Sequence, residues 1–106
     1  MKNIVLLIDT TNNKEMTVGL KIDEKEIIKK RSLDRRKAQV VLPLLEELLK
    51  EKELELKDLT AIEVNPGPGS FTGIRVGLTI ANTLGYLLHI PVNGEKVGEV
   101  ATAHYS

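Results

Sequence analysis

Two loops carry the residues with chemical potential. The first is Asp9-Thr10-Thr11, directly after the apolar run Ile4-Val5-Leu6-Leu7-Ile8. A carboxylate beside two hydroxyls can hold a hydrated Mg²⁺. The same residue types also close turns by bonding to nearby backbone. The second is Asn65-Pro66-Gly67-Pro68-Gly69-Ser70-Phe71-Thr72-Gly73-Ile74-Arg75-Val76-Gly77, set between a short apolar run at 60–64 and a longer one at 74–88. That layout reads as strand, rigid turn and helix. The first turn of a helix offers free N–H groups at the positive end of its dipole. The amides after Gly67 and Gly69, with Arg75 as counter-charge, therefore form a candidate anion cradle. The competing reading, which we prefer, is a rigid elbow whose glycines take backbone angles that other residues avoid. No Lys follows the glycines, so this is not a Walker-type phosphate loop.

The helix after the elbow places Gly73, Gly77, Ala81 and Gly85 at four-residue spacing. Glycine inside a helix costs roughly 0.5–1 kcal/mol against alanine, so close approach by other backbone must compensate. The neighbour is either the domain's own sheet or a partner helix. Val76, Ile80, Leu84, Leu87 and Leu88 on the opposite side then take the other role. Lys29, Lys30, Arg31, Arg35, Arg36 and Lys37 crowd into nine residues. A solvated edge strand and helix start explain such a cluster; a weak contact with a nucleic acid or an acidic partner is the alternative. His89 and His104 are the only histidines. His89 is expected to end the second helix, where a cation-capable group suits the dipole.

The elements that must position these residues follow from periodicity. Ile4–Ile8 reads as a central strand covered on both faces. Val18, Leu20 and Ile22 alternate as a half-buried strand. Glu26–Arg31 is a lysine-rich edge strand. Ala38, Val41, Leu42, Leu45, Leu48 and Leu49 recur at helical spacing, which predicts a helix over about 35–52, with Asp34 as N-cap and Pro43 kinking it. A fourth strand at 60–64, a helix over 72–88, a short fifth strand at Ile90-Pro91-Val92 and a helical stretch at 95–104 complete the reading. The order is β-β-β-α-β-α-β, giving a mixed sheet with helices on it.

Bulk properties limit the function classes. Fifteen basic and fifteen acidic residues balance, which argues against a strongly electrostatic nucleic-acid binder acting alone. Cysteine is absent, which removes thiolate chemistry and Cys-ligated zinc. Aromatic residues make up only 3%, too few for base-stacking platforms. The apolar run before Asp9 is too short for a signal peptide, and no run reaches membrane-spanning length. A cytoplasmic protein with no membrane partner is expected.

Val5-Leu6-Leu7-Ile8-Asp9-Thr10-Thr11 resembles the opening strand and loop of the actin/sugar-kinase/Hsp70 superfamily. Leu42-Pro43-Leu44-Leu45-Glu46-Glu47-Leu48-Leu49 and the stretch Pro66–Gly77 resemble the TsaB (YeaZ) family. The second stretch, PGPGSFTG-x-R-x-G, is the more specific, and the likeness runs from Ile4 to about Ala101. The resemblance implies a single actin-like (RNase H-like) lobe over 1–106, with the family's second lobe absent. It also implies a non-catalytic scaffold or activating subunit in tRNA threonylcarbamoyladenosine synthesis. Such a subunit pairs with a TsaD-type catalytic paralogue through its helices or forms a homodimer through a similar surface, and a TsaE-type ATPase joins the pair. The expected interface residues are Val41, Leu45, Leu48, Gly73, Gly77, Ala81 and Gly85. Asp9, Thr10, Thr11, Gly67 and Gly69 are the candidate anion or nucleotide residues. ATP and Mg²⁺ are expected only at a partner interface, and tRNA contact only as weak or indirect.

Some features depart from the family pattern. The first loop lacks the Gly that nucleotide-binding members carry there, so Asp9, Thr10 and Thr11 are read as turn residues. Lys37 stands where the family often has His. Val97–Ala101 lacks the H-x-x-x-H pair of the catalytic paralogue, so no metal-dependent transferase is expected. No nucleophile-elbow pattern surrounds Ser70. The alternatives are the first lobe of a sugar-kinase-like phosphotransferase and a stand-alone homodimeric module.

Overall fold

The computed structural model describes residues 2–32 and 37–104. Six principal elements run in the order β1 (Ile4–Asp9), β2 (Glu15–Ile22), β3 (Lys25–Ser32), α1 (Lys37–Glu51), β4 (Ala61–Val64) and α2 (Phe71–Leu88), with a 3₁₀ turn at Leu56–Asp58 before β4. The four strands form one mixed sheet, ordered β3-β2-β1-β4. β1 pairs antiparallel with β2 in the register Ile4↔Ile22 to Asp9↔Thr17. It pairs parallel with β4 from Val5↔Ala61 to Ile8↔Val64. β3, as its lysines suggest, is an edge strand.

Both helices cover one face of this sheet. Ile4, Leu6 and Ile8 of β1, Met16, Val18 and Leu20 of β2, and Ile62 and Val64 of β4 are buried against Val41, Leu45 and Leu48 of α1 and Ile74, Leu78 and Ala81 of α2. On the opposite face, Val5 and Leu7 remain half-buried and Ile28 is exposed. A shallow groove of about 710 Å³ opens there, floored in part by Leu7 and Ile28. The expectation that β1 is covered on both faces is therefore corrected: helices lie on one side only.

Pro43 sits inside α1 with its ring exposed. Asp34, Arg35 and Arg36 lie outside the described residues. His89 ends α2 in the left-handed conformation, its N–H donating to the Gly85 carbonyl. The fifth strand contracts to a single parallel bridge, Ile62↔Val92. The helical stretch at 95–104 is absent, and the segment is irregular apart from a turn at Val97-Gly98. Gly94 and Gly98 hold φ of +74° and +92°, which no right-handed helix accommodates.

Candidate functional site

Parallel pairing sets the C-terminal ends of β1 and β4 side by side, so the two candidate loops meet. Asp9 Oδ1 accepts from the Thr11 N–H at 3.0 Å and from the Thr11 hydroxyl at 2.7 Å. Asp9 Oδ2 accepts from Asn65 Nδ2 at 3.1 Å. Asn65 Oδ1 in turn accepts from the Gly67 N–H at 3.0 Å. Burial alone would raise the Asp9 carboxyl's pKa. The bonds from the Thr11 hydroxyl and amide and from Asn65, with the charge of Lys30, outweigh that burial and hold the group below its ordinary value of 3.8.

The elbow is stitched to the first loop from the other side as well. The Ser70 N–H donates to the Thr11 carbonyl at 2.7 Å. Thr10 is fully buried, and its hydroxyl donates to the Gly73 carbonyl at 2.6 Å. The Gly73 N–H donates to Ser70 Oγ at 3.2 Å, capping α2. Gly67 takes φ +111° with the His104 carbonyl against it, and any Cβ on Gly69 would lie 2.7 Å from Thr11. Asp9, Thr10, Thr11, Gly67 and Gly69 are thus brought together as the sequence suggests. Their polar atoms bond within the first loop, Asp9 to Thr11, and otherwise to Asn65, Ser70 and Gly73. Among the described residues, no group of three or more His, Cys, Asp or Glu side chains converges.

The seven residues expected at an interface lie elsewhere than expected. Val41, Leu45 and Leu48 are at most 1% exposed. Gly73, Gly77, Ala81 and Gly85 are also buried. Gly77 lies against Thr10 and Val64, and Gly85 against Val92 and the Ile90 carbonyl. The small-residue stripe therefore meets the chain's own sheet, and these residues are core. Large apolar groups reach solvent on the outer side of α2, as they also do at Val97 and Val100 in the C-terminal segment. Phe71, Tyr86 and Leu87 are 58%, 71% and 65% exposed, and Leu42 on α1 is 46% exposed. The Arg75 guanidinium lies 5.5 Å from the Phe71 ring centroid. Phe71, Arg75, Val76 and Ile80 line a shallow groove of about 370 Å³. The opposite-face pattern at Val76, Ile80 and Leu87 carried this signal; Leu84, grouped with it by spacing, is in the core. Phe71 and Tyr86 were not singled out by that spacing.

The basic cluster is largely paired where it is described. Lys29 Nζ contacts Glu47 at 2.9 Å and Glu51 at 2.5 Å, and Arg31 contacts Glu47 at 3.0 Å. These pairs strap β3 to α1, so the reading as a solvated edge holds for Lys29 and Arg31. The bonds to Glu51 and Glu47 raise the pKa of Lys29, and the bond from Lys29 lowers that of Glu47.

Residues 27–101 match the model of the family described as TsaD, tRNA N6-adenosine threonylcarbamoyltransferase. The chain is 31% identical over 103 residues to the tRNA threonylcarbamoyladenosine biosynthesis protein TsaB of Bacillus subtilis, covering 94% of this chain and 44% of the relative. It is 33% identical over 96 residues to TsaB of Buchnera aphidicola from Schizaphis graminum, with 89% and 44% covered. Among solved structures, YeaZ from Pseudomonas aeruginosa superposes with a TM-score of 0.80 at 29% identity, over 89% of this chain and 44% of that one. The chain thus spans less than half the length of these relatives, and the likeness to YeaZ and to the TsaD family makes its mixed sheet and helices an actin-like (RNase H-like) lobe. With the family model spanning most of its length and TsaB proteins as its relatives, the chain belongs to the TsaD family, in its TsaB (YeaZ) branch.

Proposed function

We propose that this chain acts in the synthesis of threonylcarbamoyladenosine in tRNA as a non-catalytic scaffold subunit. Its outer helical surface pairs with a TsaD-type catalytic protein. The observation that carries this reading is the exposed apolar side of α2, with Phe71, Tyr86 and Leu87 turned to solvent. Large exposed apolar groups on one helix mark interaction surfaces more often than isolated ones do. The names of its relatives supply the pathway: they are called tRNA threonylcarbamoyladenosine biosynthesis proteins. On this reading the partner meets the exposed side of α2 and Leu42 rather than the buried stripe. A TsaE-type ATPase and tRNA are reached through the assembled pair, and ATP with Mg²⁺ binds only where the partner completes a site. The Asp9–Thr11 loop serves this role as a structural strap, because its carboxylate oxygens are already occupied by Thr11 and Asn65.

Co-expression with a TsaD-type protein and size-exclusion chromatography test the proposal. The wild type should co-elute with that partner. Leu87→Glu should abolish co-elution while leaving the circular dichroism spectrum unchanged, since Leu87 is exposed. A mixture that never co-elutes refutes the pairing. A symmetric dimer of this chain alone, broken by Leu87→Glu, assigns the surface to a second copy instead. Isothermal titration showing clear affinity for ATP by the chain alone would favour the sugar-kinase-like reading.

A further inference from the structure

The outer edge of β4 ends on a side chain used in place of backbone. Val92 bridges Ile62, and the Asn93 N–H donates to the Ile62 carbonyl at 2.8 Å. The next rung is made by the Asn93 carboxamide. Val64 N–H donates to Asn93 Oδ1 at 2.8 Å, and Asn93 Nδ2 donates to the Val64 carbonyl at 2.9 Å. Main-chain pairing cannot continue there, because Asn93 and Gly94 turn away with φ of +52° and +74°. Gly94 is exposed, and nothing lies within 4 Å of where its Cβ would stand. Of the chain's asparagines, at positions 3, 12, 13, 65, 82 and 93, only Asn93 precedes a glycine. An Asn-Gly step has no side chain shielding the following amide nitrogen, so it is the step most open to cyclisation.

We infer that Asn93 is a spontaneous deamidation site held in check by its pairing with Val64, and that conversion follows opening of this sheet edge. In the reaction the Gly94 main-chain nitrogen loses its proton and attacks Asn93 Cγ. The new N–Cγ bond closes a succinimide, and the Cγ–Nδ2 bond breaks with loss of ammonia. Water then opens the ring. Cleavage of the bond at Cγ gives aspartate; cleavage at the main-chain carbonyl gives isoaspartate. While both amide heteroatoms are bonded to Val64, Cγ is fixed and cannot swing toward Gly94. After conversion the pair cannot be rebuilt as it was. An ionised carboxylate still accepts from the Val64 N–H but has no proton for the Val64 carbonyl. Two acceptors then face each other at a part-buried position, which disfavours the closed edge. The change is thus one-way, and it falls one residue from Asn65, which holds Asp9.

The experiment incubates the full chain in mildly alkaline buffer, native and in denaturing urea, and follows each asparagine by peptide mass and by isoaspartate methylation. In urea Asn93 should convert before the other five. In the native protein its conversion should be slower by more than about tenfold, since attack waits on a local opening. Equal rates in the two conditions, or an Asn93 that stays intact in urea, overturn the inference. Val92→Ala loosens the edge without altering the Asn93-Gly94 step and should speed native conversion. Leu49→Ala, on α1, controls for general loss of stability. If both variants convert equally fast, the pairing at this edge is not the guard; if either fails to fold, the wild-type comparison still decides.

Discussion

Gly77→Ala gives the most direct reading of how α2 sits on the sheet. The change favours the helix by about 1 kcal/mol, because alanine is the better helix former. It also places a methyl group against the hydroxyl of Thr10, with Val64 Cγ2 only 3.3 Å away. Thr10 is fully buried, so it cannot swing into solvent. Either the helix lifts or Thr10 turns and releases the Gly73 carbonyl. Overpacking of this kind costs about 1–3 kcal/mol. The Thr10 hydroxyl, buried and without its acceptor, would cost about 1–3 kcal/mol, while the Gly73 carbonyl keeps its helical bond. With the helix gain subtracted, the net effect should be a loss of up to about 2 kcal/mol, a fall in Tm of about 4–8 °C per kcal/mol for a chain of this size. The decisive measurement is a double-mutant cycle with Thr10→Ala by urea unfolding. Removing the Thr10 hydroxyl makes room for the methyl group, so Gly77→Ala should become neutral or stabilising in that background. A coupling of about 2 kcal/mol is expected, well above the few tenths seen for independent sites. Additive effects, or a stabilising Gly77→Ala in the wild type, would refute close packing of this helix on Thr10.

Gly85→Ala should destabilise by about 1–3 kcal/mol, because its Cβ meets Val92 and stands 3.2 Å from the Ile90 carbonyl; faster amide exchange at Ile62 would show that the bridge to Val92 is what gives way. The lowered pKa of Asp9 stabilises the fold above the ordinary carboxylate value of 3.8 and loses that contribution as pH falls through the folded value. Asp9→Asn should therefore flatten this part of the acid-side decline in stability; an unchanged acid limb would remove the group from the account. Glu47 titrates in the same sense through its bond with Lys29, and as the pair is exposed, the effect of Lys29→Ala should shrink as salt is raised.

The periodic part of the chain was legible. Alternation, apolar runs and the lysines of β3 placed four strands and two helices within a few residues, because all but β3 bury one face in a single core and β3 lays Ile27 against it. The spacing of Gly73, Gly77, Ala81 and Gly85 also revealed a face needing close approach. Spacing states which residues share a face but not what lies across from it, and the partner turned out to be the chain's own Thr10, Val64 and Val92. The last twenty residues misled for a different reason. Val97, Val100, Ala101 and His104 have helical spacing, yet only Ala101 among them is buried, held by two bonds with the Asn82 side chain. Gly98 at φ +92° interrupts the run. Ile90-Pro91-Val92 makes only one rung because Pro91 has no N–H and offers only its carbonyl, to Ile62.

The elbow and the outer surface of α2 are consequences of one packing choice. A helix lined by Gly73, Gly77, Ala81 and Gly85 can lie close on β1 and β4, since nothing larger than a methyl group stands between. At about 100° per residue, the positions diametrically opposite that stripe are Thr72, Arg75, Thr79, Thr83 and Tyr86, and all five are exposed. The larger apolar residues Val76, Ile80 and Leu87 fall on one shoulder of that ridge and Phe71 on the other. Close seating leaves these shoulders only partly covered, which is why Leu87 stays 65% exposed while Leu84, one turn earlier on the inner side, is buried. The elbow fixes the direction of the helix through Ser70, Thr10 and Gly73. Its amides at Gly67, Ser70 and Gly73 are engaged in doing so. A loop so engaged is poorly suited to cradle a phosphate, but it holds the outer ridge at one angle. Fixed orientation lowers the entropy lost when a partner docks. Loosening the elbow should therefore weaken binding of the proposed partner without altering the proposed surface itself: Ser70→Ala, with α2 still formed, should lower affinity measured by titration, and unchanged affinity would separate the elbow from the interface.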